Sequence, residues 1–233
     1  MSNSTHLQLP FLAAAQAQKH VSVNEALNAL DAIVQLAVID QTQILPPVTP
    51  AEGDRYIVGP GATGDWAGKD GQVASFIDGI WQFYQPKTGW IVWVENEATQ
   101  YVFKDANWQQ DIAATSASDA SIEFHVIEEE LILSGASVDS VIVIPDRAIV
   151  FGVSTRITEA ITGAASYECG ISGEVAKFGG SLGVLLNATN SGVIGPTAFY
   201  TDTPVRLTAN GSNFISGKVR IAMHYVLCGA PQQ

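Results

Sequence analysis

Residues 72–84 read QVASFIDGIWQFY, two runs of β-branched, aromatic and small residues separated by Asp78-Gly79. An Asp-Gly pair between such runs is a strong signal for a two-residue hairpin, because both turn positions need a left-handed backbone. Strand side chains alternate between faces, so Trp81 and Phe83 share one face and Tyr84 takes the other. The same punctuation continues on both sides of the hairpin. Glu52-Gly53-Asp54, Gly59-Pro60-Gly61, Gly64-Asp65, Asp70-Gly71 and Lys87-Thr88-Gly89 fence short runs at Arg55–Val58, Trp90–Val94 and Tyr101–Phe103. Residues 51–108 therefore predict a small β module. All five tryptophans, Trp66, Trp81, Trp90, Trp93 and Trp108, fall inside it. Trp90 and Trp93 are three apart, which sets them on opposite faces of a regular strand.

Beyond this module, residues 109–121 lose periodicity after the tryptophans and read, from their Ala, Ser, Thr and Asp content, as a linker. Residues 122–233 return to strands. Val219, Ile221, Met223, Tyr225 and Leu227 alternate with Arg220, Ala222, His224 and Val226, and Val153, Thr155 and Ile157 alternate with Ser154, Arg156 and Thr158. Repeated alternation with turns between predicts an antiparallel β-sandwich of jelly-roll type. No βαβ alternation occurs, which excludes a nucleotide-binding α/β fold.

Residues 1–50 hold an apolar leader around Leu9-Pro10-Phe11-Leu12 and the clearest helix. Ser22-x-x-Glu25 has the form of a capping box. Ala26, Leu27, Leu30, Ile33, Val34, Ala37 and Val38 follow at spacings of one, three and four and make one broad stripe. Pro46-Pro47 and Pro50 forbid continuation. A lone helix of this length is marginal in water. It must pack on its own β module or on the same helix of other copies, so Leu27, Leu30, Ile33 and Val34 are the packing or oligomerisation residues, with Leu30 expected to be buried. The fold class is thus mainly β, with an N-terminal helix, a small aromatic-rich module and a C-terminal sandwich.

The 233 residues are 47% hydrophobic and only 15% charged, a globular composition rather than a disordered one. The net charge of −12, from 23 acids and 11 bases, excludes the clustered basic footprint of a nucleic-acid binder. No apolar run is long enough to span a membrane, and the first ten residues lack the features of a signal peptide, so synthesis in a bacterial cytoplasm is expected. Cys169 and Cys228 are expected as buried free thiols.

Little in the chain points to catalysis, to a metal or to a cofactor. Its glycine-rich stretches lack the helix and lysine of a phosphate loop. His6, His20, His125 and His224 do not cluster. Glu128-Glu129-Glu130 point to alternating faces in a strand and read as a solvated edge or turn. The tryptophans either fill a small core or stack on the apolar faces of sugars. Trp66, between turn signals, and Tyr84, by strand parity, are the candidate glycan-binding surface.

The segments AQAQKH (15–20), NEAL (24–27), EGDRYIV (52–58), WQFY (81–84) and GWIVWV (89–94) resemble a domain of unknown function found in fibre and spike proteins of alphaproteobacterial tailed phages and gene transfer agents. The likeness covers about residues 7–108. The segments from Ile144 to Ile171, KFGG (177–180) and Val205 to Tyr225 resemble the β-rich domain that often follows it. This resemblance implies a virion-surface fibre or head spike. It also implies a homo-oligomer, commonly a trimer, that meets other virion structural proteins and host surface polysaccharide, with no membrane insertion. Two alternatives remain: a purely structural adaptor or base protein that docks another fibre component, and, less favoured, a capsule depolymerase.

Overall fold

The computed structural model describes residues 3–13, 19–110 and 112–231. The chain is mainly β with one N-terminal helix, and it divides into two units between Asp111 and Ile112. Helix α1 spans Lys19–Ile33. It starts ahead of Ser22, which therefore stands inside the helix rather than at its cap. The Ala/Gln stretch at residues 14–18 lies outside the described residues. At the other end, Val34 N–H still donates to the Leu30 carbonyl, but Gln35 takes a left-handed φ of 51°. The chain then enters strand β1, Ala37–Val38. The stripe expected to run helically to Val38 is thus cut in two, because a short apolar run does not by itself distinguish a last helical turn from a buried strand.

Strands β2 (Arg55–Ile57), β3 (Val73–Ile77), β4 (Ile80–Tyr84), β5 (Ile91–Val94), β6 (Thr99–Lys104) and β7 (Asn107–Gln110) complete the N-terminal unit. They form two sheets, in the orders β1-β5-β6-β7 and β2-β3-β4. Asp78 and Gly79, with φ of 51° and 79°, close the β3–β4 hairpin with Phe76 opposite Trp81. Alternation along β2 and β3 feeds two cores. Ile57 and Val73 join Leu36, Val38, Val92, Val94 and Tyr101. Tyr56 and Ala74 face the other way, toward Val58 and Trp66, where Trp81 and Phe83 also pack. Tyr84 packs against the first cluster, so the strand parity of these three rings holds. Residues 1–50 are no separate module: α1 and β1 belong to this unit, and β1 pairs in parallel with β5.

The boundary between the two units falls inside the expected linker at 109–121, but its described residues are largely strand. Gln109 and Gln110 end β7, and Ile112–Thr115 forms β8, paired with β9, Ser121–Ile132. Asp111 lies outside the described residues. Ladder bonds join backbone groups, so an Ala/Thr run without apolar alternation can still serve as an edge strand.

The C-terminal unit continues with β10 (Ser137–Ile144), β11 (Ile149–Thr162), β12 (Ser166–Ile171), β13 (Glu174–Leu182), β14 (Thr189–Asn190), β15 (Val193–Ala198), β16 (Thr203–Asn210) and β17 (Ser216–Gly229). One sheet runs β10-β16-β12-β13. The other runs β14-β11-β17-β9-β8, with β15 also on β11. The pairings are antiparallel. Their inner faces share one core, in which Val153 and Ile157 meet Ile221, Met223, Leu207 and Tyr167. Burial pushes the Cys169 thiol up to about 12. Cys228, by contrast, is exposed at the end of β17, not buried as expected.

The three consecutive glutamates lie within β9 beyond the reach of β8, so this stretch is paired to β17 on one side only and is an edge, as expected, with Glu128 and Glu130 exposed. A bulge in β10 between Asp139 and Val143 breaks its ladder, and the N–H groups of Val141 and Ile142 donate instead to Glu129 Oε2 at 2.9 and 3.0 Å. Glu130 turns to the other face and accepts from Thr158 and Arg220. These carboxylates hold strands in place and do not form a facing pair.

Candidate functional site

Trp66 cannot serve as a glycan platform. The 3-10 turn Gly64–Trp66 directs its ring inward, and the residue is 0% exposed. Its ring lies 5.4 Å from that of Tyr56 and 5.1 Å edge-on from that of Trp81. Turn signals on both sides of a residue say that the backbone is at the surface, not that the side chain is.

Tyr84 does reach a cavity. It lines a recess of about 460 Å³ between α1 and β4, together with Glu25, Asn28, Ile80 and Gln82. Asn28, Ile77 and Asp78 are shared with a second recess of about 390 Å³ farther along α1, which Asn24 and Asp31 also line. Through these shared residues the two form a groove with Tyr84 in one recess, Phe11 in the other, and amides and carboxylates along it. This mixture can stack on and hydrogen-bond a polar ligand. Burial raises the Tyr84 phenol above its ordinary value, and the Asp31 charge adds to this.

The groove wall is held by a carboxylate clamp. Asp31 is buried and accepts Ser4 Oγ at 2.6 Å, Leu7 N–H at 2.6 Å and His6 N–H at 3.0 Å. Asn24 exchanges two bonds with the backbone of Leu12. The leader is thus pinned along α1. Burial pushes the Asp31 carboxyl up, but the bonds from Ser4, Leu7 and His6, with the His6 charge, outweigh it and leave it below its ordinary value. A depressed carboxyl stabilises the fold fully above the ordinary range of about 4 and loses that contribution as pH falls through the lowered value. Acidification through that window is therefore expected to release residues 3–12, read as faster proteolysis of the leader. Asp31→Asn is expected to show fast cleavage already at neutral pH.

Trp93, and not Trp66, is the open tryptophan of the module, at 47% exposed. It stands opposite Gln100, and Ile91 on the same face stands opposite Val102. Trp90 packs half-buried against the first core, so the two rings do separate as their spacing requires. The alternation Ile91-Val92-Trp93-Val94 contains this signal, but both faces are apolar, and the pattern does not say which one turns outward.

The helix residues named for packing show the largest departure. Leu30 is 47% exposed rather than buried, Val23 and Val34 are exposed, and Leu27 and Ile33 are half-buried. At 3.6 residues per turn, Val23, Leu27, Leu30 and Val34 fall on one narrow line, and Ala32 lies on the opposite side. Ala32 and Asp31 are the buried helix residues. The helix seats Asp31 and Ala32 on its own unit and turns Val23, Leu30 and, just past its end, Val34 outward.

His6 Nε2 donates to the Gly53 carbonyl at 2.9 Å, whereas His125 stacks on Tyr225 in the other unit. Among the described residues no three His, Cys, Asp or Glu gather as a metal site. No helix among them is long and apolar enough to cross a membrane.

No curated protein matches this chain. Among solved structures, a chain of the "Cyanophage Pam1 capsid asymmetric unit" is similar at 21% identity and a TM-score of 0.34, over 45% of this chain and 84% of that one. Residues 23–109, which carry α1 from Val23 onward, the Tyr84 recess and strands β1 to β7 up to Gln109, match the family described as "Protein of unknown function (DUF2793)".

Proposed function

We propose that this chain is a virion-surface component, a fibre or head spike of a tailed phage or gene transfer agent. In this reading it self-associates through α1 and holds host surface polysaccharide in the Tyr84 groove without cleaving it. The observation that carries the proposal is the line Val23, Leu27, Leu30 and Val34, exposed except at the half-buried Leu27. Such spacing is that of a helix seam, and full burial of a Val or Leu side chain gains about 1.5–3 kcal/mol over exposure. Uncharged residues make the line, so identical copies meet there without like-charge repulsion. The virion setting rests on the sequence resemblance. A net charge of −12 disfavours acidic capsules, so stacking and hydrogen bonds carry the sugar contact. Weak single sites gain apparent affinity when copies are arrayed on one particle.

The adaptor reading has its own support. On β9 the row Ile122, Phe124 and Val126 is exposed, with Phe124 at 58%. An apolar row of this kind suits burial against another protein better than contact with sugar.

Sedimentation of the full chain tests the first reading. The wild type is expected to be an oligomer, most simply a trimer, and Leu30→Glu with Val34→Glu is expected to give a folded monomer. A wild-type monomer at micromolar concentration overturns self-association through α1. Particle adsorption that is unchanged by Tyr84→Ala overturns the groove assignment, and oligosaccharide release from purified capsule overturns the non-catalytic claim.

A further inference from the structure

The outer face of β11 and β17 carries a cavity of a different kind, about 380 Å³, lined by Phe151, Gly152, Ser154, Ser191, Val193 and His224. A bulge builds it. In both ladders of β11 the register shifts between Val150 and Gly152, leaving Phe151 unpaired and placing it at the cavity wall beside Ser154. Bulges re-aim side chains in this way. Two glycines let the wall close. A Cβ on Gly152 would lie 2.6 Å from the Gly192 carbonyl oxygen, and one on Gly192 would lie 1.8 Å from that of Val153. Residues 191–193 can therefore lie directly on β11 only because both positions lack a side chain. Inside, Ser154 Oγ and His224 Nε2 are held 3.0 Å apart.

We propose that this cavity binds a single unit of a neutral glycan, a sugar bearing a methyl or acetyl substituent. Phe151 and Val193 offer an apolar wall for the substituent, and Ser154, Ser191 and His224 offer hydroxyl and imidazole groups for ring hydroxyls. No Lys, Arg, Asp or Glu lines the cavity, which disfavours phosphate, carboxylate and ammonium ligands. β11 at the base of the cavity is paired on both sides, so it offers no free edge to an extended peptide. The volume is that of a small-ligand site. This inference rests on the glycan reading above and adds a second site, in the other unit, with a stated sugar class.

The test is ligand-observed NMR on the full chain with methyl N-acetylglucosaminide, methyl rhamnoside and methyl glucoside, alongside binding of purified host polysaccharide. The two substituted sugars are expected to bind about fourfold tighter than the glucoside, the worth of one buried methyl group. Ser154→Ala is expected to weaken them about threefold to tenfold, the worth of one hydrogen bond. Val193→Asp, at a position 79% exposed and so safe for folding, is expected to abolish binding. Sugar binding that is unchanged in both variants, or absent from the wild type, overturns the cavity proposal. If the polysaccharide is still held equally by wild type and cavity variants, the glycan reading stands without this site. If the wild type holds neither polysaccharide nor sugar, both fall.

Discussion

Replacing Trp66 with alanine is expected to destabilise the N-terminal unit by about 3–5 kcal/mol, the usual cost of removing a large aromatic side chain from a core. The ring is fully buried, and its two close ring neighbours, Tyr56 and Trp81, would face the void. A loss of that size is a large part of the roughly 5–15 kcal/mol that holds a domain folded. The indole N–H has no hydrogen-bond partner among the described residues, and leaving such a group buried costs about 1–3 kcal/mol. Trp66→Phe gives up part of the packing but removes that cost, so it is expected to be far milder than alanine. Urea unfolding followed by tryptophan fluorescence checks both variants, because all five tryptophans lie in this unit. An unchanged midpoint for Trp66→Ala, with sugar binding lost, would return the ring to the surface role that turn signals suggested.

Ile221→Ala is expected to cost the C-terminal unit about 2–5 kcal/mol. Ile221 is fully buried on β17, the strand that pairs with both β11 and β9, and its side chain enters the core shared by the two sheets. The two sheets meet through such residues, so a void there loosens both. No tryptophan lies in this unit, so far-UV circular dichroism is the readout. The expected result is an earlier dichroism transition with an unchanged fluorescence midpoint, whereas Trp66→Ala lowers the fluorescence midpoint. A fall in both midpoints by the same amount would mean that the units unfold as one.

The strands and their parity were legible because a strand's period is two, and the alternation of β11 and β17 or the Asp78-Gly79 turn can be read one residue at a time. Tyr84, Trp81 and Phe83 took the sides their positions require. The departures share one cause. Where an element is apolar on both faces, or mixes polar and apolar residues on the face it buries, periodicity groups the side chains without choosing which group meets the core. In α1 the wide stripe looked like the buried face, yet Asp31 accepts three hydrogen bonds from the leader and Ala32 fits closely against the unit, so that side is inside and Leu30 is outside. The same holds for Trp93 over Val92.

The Phe151 cavity had no sequence signature at all. Ser154 and His224 are seventy residues apart, and it takes a register shift to set Phe151 beside them and two glycines to let residues 191–193 close over β11. By itself the sequence determined the β class, the single helix, the hairpin and the grouping of side chains by face, all of which depend on near neighbours along the chain. Only the tertiary structure decided which faces are buried, that Ala/Ser/Thr-rich residues 112–115 pair as a strand, and which distant residues share a cavity. Those outcomes are set by what packs opposite each element, and that depends on contacts between residues far apart in sequence.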